Sequence, residues 1–337
     1  MNLSRLRQHL RDYRFYCLSL ALVAMLALFV RPEAMQHRPV YHFTFIIDIT
    51  RSMNARDYLL QDEALSRLDY IKQVLQAVVT KLPCQSKVGL GVFTERKTTL
   101  LFQPIEVCSS WGEIESTIKA IDWRMAWAAD SRIAKGIADI IQQKQTIPDE
   151  HSHIIFFTDG QEAPPINPRY KTDFSDIKTT FKGMLVGVGG LQNVPIPKYD
   201  SQGRQQGVYQ PDDVPQRSTF GLPPTSSVPV DGYNARNAPF GRAKARGDQH
   251  LTRLYEPYLQ QLSKELDWSY LRLESAEQLS GALLIPRFAE KKRVWVDMRR
   301  YPAGIALLLL SAVYMRRWKI RVPAKSLSTI HQQRDEL

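Results

Sequence analysis

The chain has 337 residues, 44% of them hydrophobic, which is enough for one sizeable core with appendages but short for three domains. A formal net charge of +11 would suit nucleic acid. The basic residues are spread along the chain, however, and the aromatic residues show no stacking-platform spacing, so nucleic acid is set aside as a partner.

Two apolar runs, Phe15 to Val30 and Tyr301 to Met315, are each bracketed by arginines and read as membrane segments over 15–31 and 301–317. Both fall short of the usual ~20 residues, so Arg14, Arg31, Arg300 and Arg316 would snorkel; buried core helices are the competing reading. No small-x-small cleavage motif follows the first run, which favours an uncleaved anchor over a signal peptide. Arg5, Arg7, Arg11 and Arg14 precede it while Arg31 and Arg38 follow, which predicts a cytoplasmic basic tail over 1–14. Two spans return the tail at 318–337 to the same side and place the middle of the chain outside the cytoplasm.

Pro32 to Pro39 reads as a polar tether, with the first strand beginning near Tyr41. Phe43-Thr44-Phe45-Ile46-Ile47 predicts a buried strand that ends on Asp48-Ile49-Thr50-Arg51-Ser52. Alternation turns the oxygens of Asp48, Thr50 and Ser52 toward one point above the sheet edge, a donor set that suits a hard divalent cation. Aspartate and serine also crowd ordinary strand-to-helix turns. Leu65, Leu68, Ile71, Leu75, Val78, Val79 and Leu82 predict an amphipathic helix with Ser66 and Asp69 as its capping pair.

Lys87 to Phe93 and Thr98 to Phe102 predict an antiparallel hairpin. It brings Cys84 and Cys108 to the same end, where they form either a disulfide or two unrelated thiols. Trp111 to Ile121 is a second helical pattern, and Asp130-Ser131-Arg132-Ile133 opens a third, with Ser131 taken alone as its N-cap. His153 to Phe157 is another buried strand, ending on Thr158-Asp159-Gly160. His151 and His153 share a face of it, a pattern that is more often structural than metal-binding. Gly183 to Gly189 is a strand, Val194-Pro195-Ile196-Pro197 with Asp200 to Gly203 resembles the Ile-Pro-bearing hairpin of BatA-type bacterial proteins, and Pro211 to Gln249 is a Pro/Gly-rich insertion for disorder or partner binding. A helix from Leu251 to Leu266, a strand from Trp268 to Leu273 and a helix from Ala276 to Leu284 close the domain.

The Asp-x-Ser/Thr-x-Ser pattern after a hydrophobic strand resembles the metal-ion-dependent adhesion site (MIDAS) of von Willebrand factor A domains. The wider pattern Ser52-Met53-Asn54-Ala55-Arg56-Asp57, then Arg67-Leu68 and Lys72, is similar to the membrane-anchored bacterial A-domain proteins BatA and BatB. The resemblance covers residues 41–285 apart from the insertion at 211–249. It implies an α/β fold, a doubly wound and mostly parallel sheet with one antiparallel hairpin, and a metal site of Asp48, Thr50, Ser52, Ser131 and Asp159. Ser131 stands where the family has threonine, and Asp159 is expected to act through water. The implied cofactor is a divalent cation, magnesium first, with calcium or manganese as alternatives.

The implied partner is a protein that offers an acidic residue to the metal, at the periplasmic face of a bacterial inner membrane. The Asp-Ile-Thr-x-Ser-Met start and the terminal span resemble the MxaL-type accessory proteins of methanol dehydrogenase gene clusters. That implies a role in assembly or calcium loading of that periplasmic enzyme. A BatA-like envelope role beside a MoxR-type ATPase shares the same motifs. A metal-dependent hydrolase is the competing class, but it needs a base within reach, and His151 and His153 both precede the strand that carries Asp159 at its far end.

Overall fold

The structure, a computed structural model, describes residues 13–30, 32–60, 62–126, 130–146, 152–165, 171–174, 182–200, 202–214 and 247–315. The chain divides into two compact units, one of residues 39–292 and one of the end segments 1–38 and 293–337. In chain order, helix α1 (Tyr13–Phe29) leads into strand β1 (Glu33–Asp48), a hairpin of β2 (Tyr58–Leu60) and β3 (Glu63–Leu65), and helix α2 (Arg67–Val79). Next come the hairpin β4 (Lys87–Thr94) and β5 (Lys97–Glu106), helices α3 (Trp111–Ala120) and α4 (Ile133–Thr146), and strands β6 (His153–Thr158) and β7 (Gly183–Gly187). The short strands β8 (Val194–Pro195), β9 (Pro197–Tyr199), β10 (Gln205–Val208) and β11 (Leu251–Thr252) follow. Helix α5 (Glu256–Glu265), strand β12 (Ser269–Arg272), helix α6 (Ala276–Leu283), strand β13 (Ala289–Asp297) and helix α7 (Arg300–Met315) complete the order.

The main sheet runs β12-β7-β6-β1-β4-β5, with β13 paired to β1. β1 is parallel to both β4 and β6, β7 is parallel to β6 and β12, and β4 with β5 is the antiparallel hairpin. Between its two parallel neighbours β1 is buried at every position from Val40 to Asp48. A strand covered on both faces reads as a continuous apolar run, which is why its sequence does not alternate. Phe43, Phe45 and Ile47 join the core under α2, α3 and α6, whereas Ile46 joins the core under α4 and α5. The chain leaves β1 for β4 on one side and later builds β6 on the other, so the sheet order reverses at β1. Ligand crevices of open α/β sheets lie outside the strand ends at such a reversal, and here those ends are Asp48 and Thr158.

Local chemistry sets the helix starts. Ser66 caps α2 by accepting from Asp69 N at 3.0 Å, as expected. The helix begins at Arg67 because Leu65 is held in the β2–β3 hairpin opposite Tyr58. Gly136 lies where α4 crosses β4, and a Cβ there would come within 2.3 Å of the Phe93 ring. Cys84 and Cys108 are joined in a disulfide with Cα atoms 5.3 Å apart, beside the Lys87–Glu106 end of the β4–β5 hairpin. The Asp200 to Gly203 turn closes β9 against β10, with Gly203 N donating to Asp200 O at 3.0 Å.

Several expectations are corrected. The tether at 32–39 is strand, because β1 starts at Glu33 and pairs with β13. β13 went unread because Lys291, Lys292 and Arg293 mask its extended pattern. Leu251 and Thr252 pair with β8 before α5 begins at Glu256. Of the insertion, 211–214 and 247–249 are described, 211–213 as a 3-10 turn; 215–246 lie outside the described residues, as does His151. In the end unit, α1 has 17 residues and α7 has 16, and they pack on each other. No helix among the described residues is long and apolar enough to cross a membrane. Both helices nevertheless expose large apolar side chains, among them Leu18, Leu22, Val23, Leu26, Leu307 and Leu308.

Candidate metal centre

Asp48 ends β1, and its carboxylate is fully buried. Oδ1 accepts from Thr50 N at 2.9 Å and from Thr50 Oγ1 at 2.7 Å, while Oδ2 accepts from Thr158 Oγ1 at 2.7 Å. Thr50 Oγ1 stands 3.4 Å from Ser52 Oγ. The three predicted oxygens of this loop are therefore gathered at one place and shielded from solvent. Burial, and then the neighbouring Asp159 charge, push the Asp48 carboxyl up to about 7.

Ser131 reaches the same edge from another element. Its backbone bridges Glu95, just beyond β4, and Ala163, four residues past Asp159. Since Asp48 pairs with Phe93 near the end of β4, Ser131 lies at the carboxyl end of the same strands. Its side-chain oxygen is buried and has no hydrogen-bond partner among the described residues. A buried hydroxyl left in that state costs about 1 to 3 kcal/mol.

Asp159 neighbours Asp48 but is held by partners of its own. Its Oδ2 accepts from Arg67 Nη1 at 2.7 Å and Thr252 Oγ1 at 2.9 Å, and its Oδ1 accepts from Gln161 N at 2.9 Å. Arg67 is wholly buried and binds Asp57 as well, through Nε at 3.0 Å and Nη2 at 2.7 Å. Gly189 completes the enclosure: at φ +109° its position would place a Cβ 2.5 Å from Arg67 Nε. A cation at Asp48 would hold that carboxyl ionised, and Asp48, Asp57 and Asp159 would then set three negative charges against the one positive charge of Arg67. One divalent cation would balance the remaining two, so the donors and the charge both fit such an ion.

The sequence patterns did not assign Arg67, Asp57, Thr158 or Thr252 a part in the site. Arg67 had a signal: it precedes Ile71 by four and Val74 by seven on the buried face of α2, where an unpaired arginine would be prohibitive. His153 lies at the start of β6, away from this edge, and is packed against Phe288 with ring centroids 5.2 Å apart. Among the described residues the one cluster of three His, Cys, Asp or Glu ligands is Cys84, Glu106 and Cys108. Its sulfurs are already bonded to each other.

Residues 43–161 match the family model of the von Willebrand factor type A domain. Over that segment the chain is similar to such a domain. The matched segment includes Asp48, Thr50, Ser52, Ser131 and Asp159. The chain is similar to an aerotolerance-related membrane protein from Bacteroides fragilis, solved with multiple mutations to serine, at 19% identity over 72% of this chain and 96% of the other, with a TM-score of 0.44. It is also similar to BatB from Bacteroides thetaiotaomicron, at 18% identity over 72% and 94% of the two chains, with a TM-score of 0.46. Proximal thread matrix protein 1 from the mussel byssus, solved with zinc in its MIDAS motif, matches at 15% identity over 46% and 40%, with a TM-score of 0.32. No curated protein sequence matches the chain.

Proposed function

We propose that the A domain is a metal-dependent protein-binding module in which Asp48, Thr50, Ser52 and Ser131 hold a divalent cation, magnesium first, with Asp159 fixed behind them by Arg67. The observation that carries this reading is the buried, unpartnered Ser131 Oγ at the edge where Asp48 and Thr50 converge. A cation would give that oxygen a partner and would offer an open position to an Asp or Glu of a partner protein. Binding is favoured over hydrolysis because the nearby carboxylates are engaged. Glu162, for example, accepts from Tyr258 Oη at 2.8 Å and Ala134 N at 3.2 Å.

The exposed apolar side chains of α1 and α7 support an anchor in a bacterial inner membrane, since water tolerates contiguous apolar surface poorly. Both helices run to the limits of the described residues at 13 and 315. The Cys84–Cys108 disulfide supports a periplasmic A domain, because such bonds persist in oxidising compartments. The finer reading rests on the Asp48-Ile49-Thr50-x-Ser52-Met53 start and the terminal apolar run: an MxaL-type accessory factor for assembly or calcium insertion of periplasmic methanol dehydrogenase. The Ser52 to Asp57 and Arg67-Leu68 patterns favour a second reading, a BatA-like envelope protein working with a MoxR-type ATPase.

Titration calorimetry of the purified chain with magnesium, calcium and manganese chloride tests the metal site. One binding event per chain that is lost in Asp48→Ala is expected, and equal heats in both proteins would overturn it. The calcium content of methanol dehydrogenase from a deletion strain tests the finer reading. Full occupancy with normal activity would favour the BatA-like role.

A further inference from the structure

We propose that the metal edge reads an acidic stretch rather than a lone carboxylate, with Arg51 and Arg253 contacting acidic residues that flank the one at the cation. This rests on the protein-binding reading above and adds the partner's chemistry to it. Arg51 stands between Thr50 and Ser52, one residue from each of two proposed ligands. Its guanidinium lies 5.4 Å from the centre of the Tyr209 ring. Arg253 follows Thr252, whose hydroxyl donates to Asp159 at 2.9 Å, and lies 5.5 Å from the centre of the Tyr255 ring. Tyr255 is itself tied to this edge, its backbone N donating to Asp159 O at 2.8 Å.

One arginine thus flanks the Asp48 loop and the other flanks Asp159, and each is laid on an aromatic face. Both side chains are exposed, and neither forms an ion pair with a described residue. Lys198, which shares the Tyr209 ring, pairs with Asp213 at 2.9 Å, while Asp248, whose charge acts on Tyr255, accepts from the neutral amide of Asn193 at 3.5 Å. Seating on a ring restricts a guanidinium while leaving its fork of donors free for a carboxylate. The charge balance points the same way. A divalent cation neutralises the buried cluster, so each partner carboxylate adds uncompensated negative charge, and two free arginines at the rim supply the compensation.

The test uses the full chain and two fluorescein-labelled Gly/Ser peptides, one with a single central Glu and one with that Glu flanked by a Glu on each side. Fluorescence anisotropy in low-salt magnesium buffer should show the tri-acidic peptide binding about tenfold tighter, as two exposed ion pairs would give. In the Arg51→Gln/Arg253→Gln double variant that preference should fall to about unity. Equal affinity for the two peptides in the unaltered chain, a preference that survives the double variant, or no binding of either peptide would each overturn the proposal. An arginine-dependent preference that persists in chelator and in Asp48→Ala would sustain the arginine contacts while removing the metal from the protein-binding reading.

Discussion

Arg67 donates from Nη1 to Asp159 Oδ2 at 2.7 Å with both side chains fully buried, and the same guanidinium grips Asp57. It joins the start of α2 to the carboxyl end of β6. Arg67→Met should leave two carboxylates unpaired and destabilise the fold by about 3 to 5 kcal/mol. Arg67→Lys should also be costly, because one ammonium cannot reproduce a fork that faces two carboxylates. Urea unfolding of both variants checks this, and a lysine variant as stable as the unaltered chain would refute the bridging role.

A divalent cation held as proposed should stabilise the fold, since Asp48, Thr50, Ser52 and Ser131 are brought together only in the folded chain. At a hundredfold excess over its dissociation constant the gain is about 2.7 kcal/mol. Thermal melts with magnesium and with chelator should differ for the unaltered chain and coincide for Asp48→Asn. Coincident melts in both would remove the assignment of Asp48.

Gly136→Ala sets two effects against each other. Helix propensity alone would favour alanine by about 1 kcal/mol. The new methyl group would meet the buried Phe93 ring at 2.3 Å, and forcing a packed core apart costs about 1 to 3 kcal/mol. A net loss of stability is expected in urea melts; a gain would mean that α4 can lift from β4 freely.

Burial lowers the pKa of His153 to about 4 from an ordinary 6.5. Between those values the unfolded chain binds the extra proton and the folded chain does not. The stability His153 contributes is therefore present in full above 6.5 and is lost as pH falls toward about 4. His153→Gln should flatten the fall in unfolding midpoint over that window. An unaltered pH profile would place the sensitivity elsewhere.

The Cys84–Cys108 bond closes a loop with a sequence separation of 24. Loop entropy predicts about 3 kcal/mol from it. The double variant Cys84→Ser/Cys108→Ser should lower the urea midpoint accordingly, and reductant should lower that of the unaltered chain alone.

The sequence by itself determined where the strands end and which hydroxyls follow them. A central parallel strand buried on both faces leaves a continuous apolar run, so Phe43 to Ile47 and Ile154 to Phe157 announced the edges that carry Asp48 and Asp159. Caps and tight turns were legible for the same reason: Ser66 meets Asp69, and Asp200 meets Gly203, within a few residues. Tertiary structure alone decided what each polar group faces. Thr158 meets Asp48 across 110 residues, Arg67 meets Asp159 across 92 and Thr252 meets it across 93. Local periodicity records a backbone's own repeat and which of its faces is buried. It does not record which strand ends the sheet order makes neighbours, and that adjacency set Asp159 against a buried arginine and left the Ser131 hydroxyl without a partner among the described residues.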